Sequence, residues 1–283
     1  MRMRRSLSVA RGPTLACLIF GAACAPTIAQ GDAERIHVNL PTAHADQLVS
    51  DAENLNLAVT TADLDGLRPE QPGFKAPAGG GECKIYLDRR TPVSAEELFE
   101  ESFSHLDSVV IRAGGIDAIM KTPEKIPSVS IWGDSVAPWR CIATAIDHVH
   151  MAGYPGLNFI VVPPKVERDD PAATMPQAIY FDLPVPNDPT EADSVSNSHK
   201  VALTASGGVL LNGGTITLAS LKTSLNGMVL SEPDRVFRFE VDERTNYALA
   251  VAVLSAMKQA GIATLSFERS ETSENHSANG TSK

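Results

Sequence analysis

The chain has 283 residues and a formal charge of −10, with 34 acidic against 24 basic side chains. That balance argues against nucleic acid as a partner, since phosphate binding needs a basic face. It favours solubility and repels anionic surfaces. At the N-terminus Arg2, Arg4, Arg5 and Arg11 precede an uncharged run over residues 12–30. The apolar part, residues 15–25, is shorter than the roughly 20 residues of a spanning helix. A basic start, a short apolar stretch and small residues near Ala29 predict an export signal over residues 1–29. An uncleaved short membrane anchor is the competing reading. Gly21-Ala22-Ala23-Cys24 also has the shape of a lipobox, which makes Cys24 a candidate for lipidation. Cleavage would remove the four arginines and no acidic residue, taking the charge from −10 to −14.

The body of the chain contains one pattern twice. Residues 129–160 and 237–268 align without a gap at a spacing of 108, with Asp134 on Asp242, Trp139 on Tyr247, Gly153 on Gly261 and Phe159 on Phe267. Each copy reads as a short strand, Asp, a polar turn, an apolar helix, Ala-Gly and a short strand. A repeated supersecondary unit sets the domain count, and here it predicts two domains on one plan.

In chain order, residues 35–41 predict a first strand ending at Pro41. A long loop rich in Pro and Gly follows, to about Glu82. Residues 84–88 predict the second strand, and residues 93–98 a helix start. Residues 99–128 are longer than their counterpart and read as holding an extra strand at 108–111. Strand, helix and strand fill 129–162, completing a first domain over 35–162, and residues 163–177 form a linker with Pro163-Pro164. The second domain, residues 178–268, is cleaner. A strand ends at Pro184, a polar loop follows, and residues 200–205 form the next strand. Residues 209–211 and the turn Asn212-Gly213-Gly214 give a strong hairpin signal. Thr217 is the expected N-cap of a helix to about Met228. Residues 236–241 are a strand, 247–259 a helix ended by Gly261, and 264–267 a last strand. The tail, residues 269–283, is polar and expected to be disordered.

Chemistry-bearing residues are few. After leader cleavage Cys83 and Cys141 remain, and in an oxidising compartment they are candidates for a disulfide. The alternative is two separate thiols, one in a loop and one on a helix. Asp134 and Asp242 follow the core strand of each copy and, with Glu243, are candidate partner contacts. Turn and cap acceptors are the plainer reading of both aspartates. Glu240, Asp242 and Glu243 together read as a solvated acidic face. His148 and His150 lie two apart on a helix and cannot face one ion. His44, Asp46, His105 and His199 lack neighbouring ligands, and Gly79-Gly80-Gly81 leads into a strand rather than a helix, so it is no phosphate loop. No nucleophile elbow occurs, and Ser206-Gly207 is turn chemistry. Trp139 and Tyr247 open equivalent helices and read as core aromatics. No catalytic, cofactor-binding or metal-ligating set emerges, so the chain reads as a non-enzyme. An unpaired sheet edge is then the better candidate site, since it offers N–H and C=O groups to an extended partner.

The second copy resembles the periplasmic domain of the ExbD/TolR family of biopolymer transport proteins. The resemblance runs through Phe181-Asp182-Leu183-Pro184, residues 201–213, residues 216–221, residues 237–243 and residues 248–267, in family order. It covers 178–268 well and 35–162 weakly. It implies an α+β fold of two tandem domains, each a small mixed sheet with two helices on one face. It further implies an envelope partner, peptidoglycan or an extended peptide of a transducer protein, in a Ton/Tol-type transport system, and a periplasmic location. Family members carry one such domain after a transmembrane helix whose Asp relays protons beside an ExbB/TolQ-like channel partner. The N-terminal apolar stretch here has no Asp or Glu, and an ionisable group in the membrane is what a relay needs. The resemblance therefore transfers fold and envelope recognition, not the motor. The alternatives are an inner-membrane-anchored divergent subunit contributing to energised transport, and a periplasmic enzyme of unknown class. The two copies also suggest an intrachain pseudo-dimer, supplying both halves of a family dimer in one chain.

Overall fold

The computed structural model describes residues 35–49, 54–64, 81–122, 126–164, 175–184, 198–232 and 235–269. The leader with Cys24, most of the linker and the tail lie outside them. The strands are β1 (Gln47–Leu48), β2 (Leu55–Thr61), β3 (Cys83–Leu87), β4 (Thr91–Val93), β5 (Val129–Gly133), β6 (Gly156–Val161), β7 (Gln177–Asp182), β8 (His199–Leu203), β9 (Val209–Leu211), β10 (Gly214–Ile216), β11 (Phe237–Val241) and β12 (Leu265–Arg269). The helices are α1 (Ala95–Arg112), α2 (Ile116–Ile119), α3 (Trp139–Met151), α4 (Leu218–Ser231) and α5 (Tyr247–Gln259).

Two mixed sheets result. The first has the order β1-β7-β6-β5-β2-β3-β4 and the second β10-β9-β8-β11-β12. Omitting β1 and β7, the two orders are the same: β6-β5-β2-β3-β4 and β12-β11-β8-β9-β10. In each, three strands run parallel, with β5 or β11 between its two neighbours, the central strand β2 or β8 then starts an antiparallel extension of two further strands, and two long helices cover one face. The architecture is the expected α+β arrangement of two mixed sheets.

Local chemistry explains the elements. Ser94 and Glu97 close a capping box at α1, with the Ser94 hydroxyl 3.2 Å from the Glu97 N–H and the Glu97 carboxylate 2.8 Å from the Ser94 N–H. Thr217 caps α4 and Asn246 caps α5 in the simpler form. Asn212 and Gly213 both take positive φ between β9 and β10, as a tight type I′ hairpin requires. Alternation sends Leu57, Val59, Ile131, Leu157 and Phe159 to the helix side of the first sheet, and Val201, Leu203, Phe237, Phe239 and Val241 to that of the second. These residues, with Ile142, Ile146, Leu225, Val251 and Leu254 from the helices, form one continuous core spanning both sheets.

Besides residues 35–41, which form no strand and are followed by a single bridge from Thr42 to Val162, three expectations change. Residues 84–88 do not match β8. The counterpart of β8 is β2, inside the segment read as loop, and residues 83–87 instead match β9 as the antiparallel neighbour. Residues 108–111 belong to α1 rather than to a strand, because the capping box at Ser94 starts a helix that carries the β-branched pair Val109-Val110 with it. Third, β7, assigned from the sequence to the second domain, pairs antiparallel with β6 of the first sheet, from Gly156↔Asp182 to Val161↔Gln177.

Candidate functional site

The two halves meet about a local pseudo-twofold axis. Pro138 bridges Asn246, residues exactly one repeat spacing apart. Around that bridge the backbone bonds come in matched pairs. Trp139 N–H donates to Thr245 C=O at 2.6 Å, and Tyr247 N–H to Ala137 C=O at 2.8 Å. Arg140 N–H donates to Glu243 C=O at 3.0 Å, and Ala248 N–H to Ser135 C=O at 2.8 Å. The first N–H groups of a helix have no partner within it. Here α3 and α5 each satisfy theirs on the turn that opens the other helix. The side chains follow the same symmetry. Trp139 stacks on Phe267, 6.2 Å between centroids, and Tyr247 lies 6.5 Å from Phe159, while Phe159 and Phe267 meet at 5.7 Å. Gly133 permits this approach, since a Cβ there would overlap the Tyr247 ring.

Asp134 and Asp242 sit at the rim of this junction. Each accepts the N–H two residues on, Val136 at 3.3 Å and Arg244 at 2.9 Å, and each carbonyl takes the N–H three residues on. That is turn chemistry in both copies. Their surroundings differ. Asp134 is buried, and the loss of water pushes its carboxyl above the ordinary carboxylate range, opposed by N–H bonds from Val136 and Asn39. Asp242 is held below that range by the Arg244 guanidinium, which reaches both its oxygens at 3.1 Å. Glu243 contributes its carbonyl to Arg140 at 3.0 Å, and Glu240 pairs with Lys200.

Cys83 and Cys141 form a disulfide, Cα–Cα 5.3 Å, fastening β3 to α3. The histidines are used separately. His148 Nδ1 donates to Thr144 C=O at 2.7 Å and His150 Nε2 to Pro184 C=O at 2.8 Å. Asp46 lies 3.5 Å from Lys258, and His199 contacts Asn212 at 3.1 Å and Glu232 at 3.4 Å. Sequence reasoning isolated His105. Its Nδ1 lies 2.7 Å from the buried Tyr154 hydroxyl, and burial lowers its pKa. Among the described residues no group of three or more His, Cys, Asp or Glu is arranged to hold a metal ion, and no helix is long and apolar enough to cross a membrane.

The equivalent edges of the two sheets differ. The outer edge of β6 is occupied along its whole length by β7. The strand then reaches β12 only at its end, where Asp182 bridges Thr264 and its N–H donates to Ala263 C=O at 3.0 Å. Along Leu265–Arg269 no strand among the described residues pairs with the outer edge of β12. That edge is held firmly in place: Leu265 is buried, Phe267 packs on Trp139, Phe159 and Phe239, and Glu268 pairs with Arg238 at 2.6 Å. Sequence reasoning could not select β12 as the edge, because the strand order depends on pairings between distant segments.

The class these features define is a two-sheet α+β protein whose equivalent edges, among the described residues, are covered on one sheet and unpaired on the other. Residues 172–272 match the family model ExbD, biopolymer transport protein ExbD/TolR. The match covers 101 of the 283 residues, from β7 to β12. That family is envelope-associated, and its members are non-catalytic transport proteins that generally work with ExbB/TolQ-type partners. No curated protein was found to match this chain.

Proposed function

We propose that this chain is a non-catalytic recognition subunit of the cell envelope, working in a Ton/Tol-type transport system and built from two ExbD/TolR-like units in tandem. The observation that carries the reading is the open outer edge of β12 beside the occupied edge of β6. The first half displays what such an edge accepts, since β7 lies on β6 as an added antiparallel strand. Strand addition to β12 would give an extended envelope peptide the same backbone bonds, with affinity from the main chain and little demand on side chains. The family match over 172–272 and the shared five-strand order, β1 and β7 aside, support the tandem reading. The partner is an extended transducer-type segment, with peptidoglycan as the competing ligand, and the place of action is the periplasm.

The test is amide hydrogen exchange of the exported protein with and without a synthetic extended transducer-type peptide, and separately with peptidoglycan fragments. Slowed exchange over Leu265–Arg269 with the peptide, and none over β6, is the expected outcome. Unchanged exchange of β12 with either ligand would overturn the reading.

A further inference from the structure

The first sheet shows, position by position, what an outer edge of this kind receives. Its docked strand, β7, runs antiparallel to β6, with Phe181 opposite Leu157, Tyr180 opposite Asn158, Ile179 opposite Phe159 and Ala178 opposite Ile160. The repeat carries those β6 positions onto Leu265, Ser266, Phe267 and Glu268 of β12. β7 is therefore a template for the direction and register of a strand added to β12.

The two faces of the edge compare differently. On the helix side the residues are the same in both halves, Leu157 and Phe159 on β6, Leu265 and Phe267 on β12. Facing the first pair, Phe181 and Ile179 of β7 are buried in the main core. Side chains directly opposite each other across a strand pair are the unit of sheet stability, so like positions ask for like partners. A strand on β12 thus needs apolar residues at both places. On the other face the halves diverge. One row of the first sheet reads Ala58, Trp132, Ile160 and Ala178, all buried in a small second core. The equivalent row of the second sheet reads Ala202, Glu240 and Glu268. Two carboxylates stand where Trp132 and Ile160 do, and the place of Ala178 lies beside them.

Like charges directly opposite on neighbouring strands repel. The sheet balances these two from one side. Lys200 pairs with Glu240, and Arg238 Nη1 donates to Glu268 Oε1 at 2.6 Å. Each cation stands one strand before its carboxylate and one row away. Glu268 stays partly exposed on the last strand of the series. A cation on the next strand, opposite Glu268, would continue the balance, whereas a carboxylate would make a row of three. On the reading that β12 is the docking edge, we propose that its partner strand is antiparallel and reads basic, apolar, polar, apolar from N to C, with the lysine or arginine opposite Glu268. The end of β7, where Asp182 bridges Thr264, marks the limit of that strand. Residues 35–38 of this chain, Arg-Ile-His-Val, have the same order. They are held on the first sheet instead, with Ile36 and Val38 packed on its second core and the Ile36 N–H donating to Arg89 C=O at 2.8 Å. The occupant is accordingly assigned to a partner protein.

The test titrates the exported protein with two capped peptides identical but for one residue, one containing Lys-Ile-Thr-Val and the other Glu-Ile-Thr-Val. Binding is read from the backbone amide signals of residues 265–268. The lysine peptide should bind about tenfold more tightly at low salt, one opposite-charge pair gained and one like-charge pair avoided, and the margin should shrink at high salt. Glu268→Gln, a mild change at a partly exposed position, should cut the preference to about threefold or less while both peptides still bind. A spin label on the N-terminus of the lysine peptide should broaden the Glu268 amide more than the Leu265 amide. Equal affinities, a preference unchanged in Glu268→Gln, or stronger broadening at Leu265 overturns the proposal and leaves the docking edge standing. If neither peptide moves the β12 signals, the docking edge falls and the proposal with it. Self-association of the protein that the lysine peptide competes away would give the edge to residues 35–38 of a second copy and overturn the assignment to a partner.

Discussion

Trp139→Ala tests whether the two halves fold as one body. The side chain is 2 % exposed and packs against Phe239 and Phe267, both on the second sheet, although Trp139 belongs to the first half. A buried aromatic of this kind removes about 150–250 Å² from water, which at roughly 25 cal/mol per Å² gives about 4–6 kcal/mol. Truncation of such residues costs about 3–5 kcal/mol once partial collapse of the cavity is included. Against a typical total of about 5–15 kcal/mol this is roughly a fifth or more of the stability. It corresponds to a fall in thermal midpoint of about 10 °C for a chain of this size. The assay is guanidinium unfolding read by two probes. Fluorescence of Trp132, on the outer face of β5, reports the first sheet, and amide exchange over Phe237–Val241 reports the second. Both should move together to the same lower midpoint, and Trp139→Phe should recover most of the loss. If the β11 amides keep the wild-type midpoint while Trp132 fluorescence shifts, the halves are independent and the shared-core reasoning is wrong.

Tyr247→Phe should leave stability unchanged or raise it by about 1 kcal/mol, because the hydroxyl is buried with no partner and burial already pushes its pKa up; a clear loss in a thermal melt would contradict this. Reducing Cys83–Cys141, which closes a loop of sequence separation 58, should lower unfolding free energy by roughly 4 kcal/mol on the chain-entropy account, and equal denaturant midpoints with and without reductant would refute it. His105 has its pKa lowered, first by burial, so the folded state disfavours its proton. Its contribution is full above the ordinary value of 6.5 and is lost as pH falls from there through the folded value, so His105→Gln should flatten the acid side of a stability–pH curve.

Much of the second half is legible in the chain because its signals are local. Asn212-Gly213 sets a hairpin, Thr217 and Asn246 cap helices, and Gly261 takes the left-handed φ that ends α5. The first half hides its central strand. β2 reads LNLAVTT, in which Asn56 and two threonines interrupt the apolar residues although nearly the whole strand is buried, so it shows neither a clean alternation nor an unbroken apolar run. Residues 84–88 hold the compact run Ile85-Tyr86-Leu87 bounded by charges and so take its place in a sequence reading. Two further features are long-range and leave no local trace. Nothing within residues 177–182 says which sheet they join. The polar row Asn56, Ser130, Asn158 and Tyr180 is legible only once β2, β5, β6 and β7 stand side by side.

The repeat shares its backbone far more strictly than its chemistry. Bonds at the junction recur at one spacing to within a few tenths of an ångström, yet the equivalent aspartates are shifted in opposite directions, Asp134 by burial and Asp242 by Arg244. The turn needs an acceptor in both copies, and Asp supplies it in either environment, so the position is explained by folding alone. Edges obey a different logic. β6 and β12 occupy the same place in the strand order, and a structural requirement for coverage would apply to both. Only β6 is covered among the described residues, by a strand that continues toward the second half and stops at Thr264. An open edge is a liability that proteins blunt with charge or a bulge. Among the described residues β12 carries the ion pair Arg238–Glu268 on one face, and Phe267 anchors its other face in the core. A strand so firmly anchored and so lightly guarded presents its backbone at no further cost of ordering, which is the condition under which an added strand binds well. Among the described residues the first half is closed by its own chain, and the proposed function gives the equivalent place on the second to a partner strand.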